Sequence, residues 1–261
     1  MSIITLTTDF GAADWFVGTM KGVILGLEPR AQIVDITHEV PAGDIRAGAF
    51  ALAASCKFFP KRTVHVAVID PGVGSRRRAI AVQTGNYLFI GPDNGVLSLA
   101  LSREKIMAIH QITNAQLFLR PVSNTFHGRD IFAPVAARLS KGLALRKVGS
   151  SIKEFVKLSF PEPQHAGNSI KGEIAYIDHF GNAITNIGNA MLASPTKGLR
   201  EIVLRGKRLC EFQPFYQAVP LGNALAVPGS SGFLELAVNG GSIVKKFNLR
   251  VGERVVVRFR P

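Results

Sequence analysis

The sequence has little that would staple, anchor or export it. Cys56 and Cys210 are the only two cysteines in 261 residues. They are too few for a disulfide framework or a zinc site, and both are expected as buried thiols in a reducing compartment. No apolar run approaches the ~20 residues of a membrane span. The start, Met1-Ser2-Ile3-Ile4, lacks the basic stretch and cleavage site of a signal peptide. The expectation is a cytoplasmic protein with no membrane partner. Acidic residues are scarce too: 18 Asp and Glu stand against 31 Lys and Arg, a net charge of +13. That excess is spread, +7 over residues 1–165 and +6 over 166–261, and no nucleic-acid motif accompanies it. Near the end Arg254, Arg258 and Arg260 alternate with Val255, Val257 and Phe259, a solvated face over a core face. No nucleic-acid partner is expected.

Familiar catalytic machinery is missing as well. Neither Gly-x-Gly-x-x-Gly nor a phosphate loop follows the first strand, which argues against a nucleotide held by its phosphates. No Gly-x-Ser-x-Gly elbow is present. The histidines at 38, 65, 110, 127, 165 and 179 show no pairing at one-turn spacing, so neither a metal nor another cofactor is expected. What is present is the stretch Val64 to Arg78. Val64–Ile69 is an almost unbroken apolar run rich in β-branched residues, the pattern of a strand buried on both faces. Asp70, Pro71 and Gly72 then force a turn. The carboxyl end of a strand is where open α/β sheets bind ligands, so Asp70 is expected at the mouth of a cleft, with Arg76, Arg77 and Arg78 in the same loop. The plain alternative is a turn-capping aspartate beside solvated arginines.

Residues 3–8 read as a first strand closed by Asp9, Phe10 and Gly11, a second carboxylate at a strand's carboxyl end. Asp14 is expected to cap a helix carrying Phe16, Met20, Val23, Ile24 and Leu27, stopped by Pro29. Ile33–Ile36 follows as a strand, and Ile45–Lys57 as a helix begun by Asp44. This β-α-β-α-β order predicts a mostly parallel sheet with flanking helices. Ala79–Gln83 and Tyr87–Ile90 read as a hairpin, and Gly91-Pro92-Asp93-Asn94-Gly95 as a tight turn. A helix over 96–102 and a strand over 106–112 come next. Thr125-Phe126-His127-Gly128-Arg129-Asp130 precedes a helical pattern (Ile131, Val135, Leu139) ending at Gly142. Residues 146–169 read as a linker. Beyond them helical patterns vanish, and strands at 170–177, 199–204, 224–227, 233–238 and 254–260 predict a small all-β, barrel-like domain. The fold class is therefore α/β over residues 1–160, joined to an all-β domain over 170–261.

Several of these motifs occur together, in order, in one known family. Thr8-Asp9-Phe10-Gly11, Val34-Asp35-Ile36-Thr37-His38, Ile69-Asp70-Pro71-Gly72-Val73-Gly74, Gly91-Pro92-Asp93-Asn94-Gly95, Thr125 to Asp130 and Phe180-Gly181-Asn182 resemble the S-adenosyl-L-methionine hydroxide adenosyltransferases, which are related to the fluorinase and chlorinase. The resemblance covers essentially the whole chain. It implies cleavage of S-adenosyl-L-methionine (SAM) to adenosine and methionine without a metal, in a homotrimer whose sites lie between subunits. The amino-terminal domain would carry the water-handling residues, and the carboxyl-terminal domain would complete the adenosyl site.

Carried over residue by residue, the resemblance gives Asp70, Arg77 and His127 as the water-handling set. It makes Asp9 the holder of the ribose hydroxyls, Asn182 the amide near the adenine and Asp178 the carboxylate facing the methionine amine. Ser230 falls at the methionine end, Glu235 and Val238 among the carboxyl-terminal contacts, and Phe180 and Phe215 as adenine walls. Ser231 stands where the halogenases have an arginine. Three rival readings stand beside it. One is a halogenase, which would lack the water-handling histidine and carry an added loop. Another is a sensor that binds SAM or adenosine without turnover, and the third is a metal hydrolase built from Asp9, Asp70, Asp93 and His127.

Overall fold

A computed structural model describes residues 2–192 and 200–259, and the chain divides into two compact units, one through Leu158 and one from Ser159. In the first unit β1 (Ile3–Thr8), α1 (Phe16–Leu27), β2 (Gln32–Thr37), α2 (Ile45–Ser55) and β3 (Val64–Val68) follow in turn. The hairpin β4 (Ala79–Thr84) and β5 (Leu88–Pro92), the short α3 (Ser98–Leu101), β6 (Ile106–Gln111) and α4 (Ala133–Ser140) complete it. The strands lie in the order β2-β1-β3-β5-β4-β6. The first four run parallel, while β4 is antiparallel to both neighbours. The sheet is thus mixed, parallel on the side that carries Asp9 and Asp70.

The burial pattern explains the order. Every residue of β3 is buried, as a central strand with both faces covered requires, whereas β2 at the edge alternates exposed and half-buried positions. Ile4 and Leu6 of β1 and Val64, Val66 and Val68 of β3 pack in one core cluster with Met20 and Ile24 of α1 and Val135, Ala136 and Leu139 of α4. On the other face α2 comes so close that a Cβ on Gly48 would lie 2.6 Å from Ile69 Cδ1. Asp44 caps α2 by accepting from Ala47 N at 2.9 Å, as its residue type predicts. Asp14 does not cap α1. That helix begins one residue later, with Trp15 at the N-cap and no side-chain cap, and the Trp15 ring lies 5.2 Å from that of Phe16. Gly91 and Pro92, expected in a turn, instead end β5, Pro92 pairing with Ala79 where a strand end tolerates its missing N–H.

Among the described residues the second unit is built on an eight-stranded antiparallel sheet. Its strands are β7 (Gln164–His165), β8 (Ser169–Ile177), β9 (Ala183–Gly188), β10 (Arg200–Leu204), β11 (Lys207–Glu211), β12 (Ala224–Pro228), β13 (Phe233–Val238) and β14 (Arg254–Phe259). They run β11-β10-β14-β8-β9-β13-β12, with β7 added on β8. The two ends of that series meet: Phe212 bridges Ala226, and Gln213 N–H donates to Ala226 O at 2.7 Å. This nearly closes a barrel around Ile170, Ile174, Leu204, Leu234, Leu236 and Val257. Sequence patterning missed β7, β9 and β11, and it missed a short helix, α5 (Ile243–Phe247), capped by Ser242. Leu199 and Arg260, expected at strand ends, lie outside the described residues. Cys56 and Cys210 are both buried, and among the described residues no helix is long and apolar enough to cross a membrane.

Candidate active site

β3 delivers Asp70 to a turn whose bonds are Val73 N to Asp70 O and Ser75 N to Gly72 O, both 3.1 Å. Gly74 has φ +78°, and a Cβ there would fall 2.3 Å from Asn124 O. Only glycine permits that approach, and it seats the turn against the segment leading to His127. Arg77 then folds back over Asp70. Its Nε donates to both carboxylate oxygens at 2.9 and 3.0 Å, and its Nη2 donates to Asp70 Oδ2 and, at 2.7 Å, to His127 Nδ1. The side chains of Asp70 and Arg77 are only 4% and 10% exposed, and the guanidinium lies 5.4 Å from the centroid of the Phe132 ring.

His127 precedes a π-helical turn, Gly128–Phe132, from which α4 continues. The fully buried Asp130 anchors that turn, accepting from Ser123 N at 2.8 Å and pairing with Arg129. An arginine can only donate, so His127 Nδ1 accepts and the ring hydrogen sits on Nε2. Burial holds the His127 pKa below its ordinary 6.5, and Arg77 adds to this against the opposing pull of Asp70 and Asp130. The ring therefore stays neutral at pH 7 and takes a proton only in more acid solution, where it must release Arg77. We expect the acid limb of turnover to have its midpoint below pH 6.5. A pH–rate profile tests this: a midpoint above that value would mean that Asp70 and Asp130 outweigh burial and Arg77, and a rate that rose as the pH was lowered would make the imidazolium the working form.

The neighbouring arginines stand apart from this cluster. Arg78 Nε donates to Asp93 Oδ2 at 2.7 Å, and Asp93 Oδ1 accepts from Val156 N at 2.7 Å, while Arg76 is exposed. Asp93 is therefore structural, which removes it from the four-residue metal set. Among the described residues no group of three or more His, Cys, Asp or Glu side chains is placed to hold a metal ion. Asp9 ends β1 beside this cluster, its Oδ2 accepting from Gly43 N at 2.8 Å. Its turn is fixed through His38: Gly11 N donates to His38 O, and Thr8 Oγ1 lies 2.8 Å from His38 Nδ1.

In the second unit Asp178 and Asn182 close one turn, Asp178 accepting from Asn182 N at 2.8 Å and from its Nδ2 at 3.0 Å. Phe180 at the tip is 75% exposed and Phe215 58%. Glu235 is buried and accepts from the Tyr216 hydroxyl at 2.5 Å. Burial raises the Glu235 pKa and Asp178 adds to this, while the Tyr216 bond opposes them. Burial and Glu235 together push Tyr216 up to about 12. Ser230 is exposed on the β12–β13 loop, and Ser231 Oγ is buried with no partner among the described residues. The Val238 side chain is packed in the barrel core. Sequence reading grouped Tyr216 with Phe215 as polar punctuation of the second domain but gave it no role.

Two family models match the chain: the SAM hydroxide adenosyltransferase N-terminal domain over residues 4–149 and the C-terminal domain over residues 172–256. The chain belongs to the SAM hydroxide adenosyltransferase family. The (R)-S-adenosyl-L-methionine hydrolase of Salinispora arenicola is 39% identical to it over 257 residues, 97% of each chain. The hydrolase of the same name from Thermus thermophilus is 35% identical over 97% of this chain and 98% of its own. A fluorinase of Actinoplanes is 27% identical over 98% of this chain and 97% of its own. A crystal structure of an uncharacterized conserved protein from Thermotoga maritima superposes with a TM-score of 0.92 at 35% identity, covering 99% of this chain and 100% of that one. A cavity of about 1080 Å³ opens at the amino end of the first unit's sheet, lined by Ser2, Lys61, Arg62 and Tyr87 among others. None of the candidate residues lines it, whereas the carboxyl-end cluster brings a carboxylate, a guanidinium and an imidazole together.

Proposed function

We propose that the chain hydrolyses SAM to adenosine and L-methionine by in-line attack of water on C5′, without a metal. The single observation that carries the chemistry is Arg77 donating at once to Asp70 and His127. The sulfonium is already a good leaving group, so what the reaction lacks is a nucleophile. A water oxygen bonds to C5′, the C5′–S pair passes to sulfur to leave neutral methionine thioether, and the water loses a proton. His127 Nδ1 is occupied by Arg77, so Asp70 accepts that proton, Arg77 offsets the developing negative charge and the Nε2–H of His127 orients the oxygen. Such positioned proton transfer contributes typically ~10²–10⁴-fold. Attack of hydroxide on a sulfonium cancels charge, so a water-poor site favours it further.

On the family resemblance, Asp9 holds the ribose hydroxyls, Asn182 meets the adenine between Phe180 and Phe215, and Asp178 faces the methionine amine. Ser230 lies at the methionine end, and Glu235 and Val238 are carboxyl-terminal contacts with the substrate. The amino-terminal unit supplies the water-handling residues and Asp9, and the carboxyl-terminal unit completes the adenosyl site, in a cytoplasmic homotrimer with sites between subunits. Because the relatives at 35–39% identity are named for the (R) epimer, we take the (R)-sulfonium as substrate. Pure protein incubated with each epimer, with and without halide and chelator, is expected to form adenosine and methionine from the (R) form in every buffer. Formation of a 5′-halo-nucleoside alone, or loss of activity on chelation, would overturn the reading.

A further inference from the structure

Glu235 sits on the side of β13 that faces away from the barrel core. Leu234, Leu236 and Val238 take the core side, while Ala237 packs outward with Leu225, Val227 and Val219. Over that outer side runs a strap, residues 213–220, tied down at three points. Gln213 N–H donates to Ala226 O at 2.7 Å, the Tyr216 hydroxyl to Glu235 Oε1 at 2.5 Å, and Asn239 Nδ2 to Val219 O at 2.8 Å. The middle tie alone joins two side chains, and it lies one residue from Phe215. On its other flank Glu235 abuts the β12–β13 loop so closely that a Cβ on Gly229 would come within 3.1 Å of both Glu235 Cβ and Oε2. One carboxylate therefore touches the strap that carries Phe215 and the loop that carries Ser230.

We propose that Tyr216 is a positioning residue which, anchored on Glu235, holds Phe215 in place against the nucleoside and keeps it in register with the Ser230 loop. This rests on the reading of Phe215 and Ser230 given above. What Glu235 supplies to Tyr216 is an acceptor oxygen in a fixed place, which a glutamine can also supply. Without the phenol hydroxyl the middle of the strap is free, and the ring must be ordered at the moment of binding, a cost that appears as lost affinity.

The test is calorimetry with adenosine and with methionine, together with kcat and KM for SAM, on the parent, Tyr216→Phe, Glu235→Gln, Glu235→Ala, Phe215→Ala and the Tyr216→Phe/Phe215→Ala pair. A charge-assisted bond is among the stronger ones, so Tyr216→Phe and Glu235→Ala should weaken adenosine roughly 10-fold or more, with kcat changed far less than KM. Glu235→Gln should restore most of that affinity. On the Phe215→Ala background Tyr216→Phe should add little, since the two changes then remove one interaction. Additive losses, unchanged adenosine affinity in Tyr216→Phe, or Glu235→Gln as weak as Glu235→Ala would overturn the proposal. If the parent itself forms no adenosine from SAM and binds neither product, the functional reading falls and this inference with it.

Discussion

Asp70→Asn is expected to cut turnover of SAM by about 10²–10⁴-fold, with substrate affinity changed only a few-fold. Asparagine keeps the shape of the side chain and one acceptor for Arg77, but it cannot take the proton that water gives up as it bonds to C5′. An interaction made only in the transition state leaves ground-state binding intact. Single-turnover rates beside calorimetric affinities measure the two effects separately. A variant that turned over near the parent rate while its affinity collapsed would make Asp70 a ligand holder, and the proton would have to leave by another group.

The three consecutive arginines should separate cleanly. Arg77→Ala is expected to lose turnover on the scale of Asp70→Asn, because it removes the cation that touches both Asp70 and His127. Arg78→Ala should instead lose stability. It leaves the Asp93 side chain, 2% exposed, as a buried charge without its cation. Breaking such a pair costs about 3–5 kcal/mol when fully buried, and the partial exposure of Arg78 places this case toward the lower end. A loss of that order lowers the melting temperature by roughly 6–12 °C for a chain of this size, with kcat per folded molecule retained in the cold. Arg76→Ala should do neither. Thermal melts and kcat on the three variants decide the matter, and a stable Arg78→Ala or an active Arg77→Ala would reverse the assignment.

The legible parts of the fold were those encoded by neighbours in sequence. An almost unbroken apolar run marked β3 as central, and the residues that stop it put Asp70 at its carboxyl end. Asp44 capped α2 because the side chain needs only its own helix. The choice among Arg76, Arg77 and Arg78 was of another kind. It depends on His127, 50 residues away, and on Asp93, and neither is visible in the local pattern; the family resemblance supplied Arg77. The Tyr216–Glu235 bond escaped for the same reason. Helix α5 has five residues, too few to show a period, and β9 is interrupted by Thr185 and Asn186. Asp14 misled because a good capping residue stood one position too early, while the exposed Trp15 beside Phe16 took the helix start.

The pairing of β1 with β3 works as a ruler. Thr8 pairs with Val68, so Asp9 and Asp70 leave neighbouring parallel strands one and two residues beyond a matched pair. The spacing between such strands is about 4.8 Å and one step along a strand about 3.3 Å, and packing on both faces of two strands buried along almost their whole length opposes a slip. The carboxylate assigned to the ribose and the one assigned to water are thereby set apart by backbone hydrogen bonds and not by any side chain that could swing. Lengthening either strand by a single residue would shift one graduation against the other by several times the ~1 Å that positioning chemistry tolerates, so variation in this chain can gather in its loops far more safely than in the length of β1 or β3.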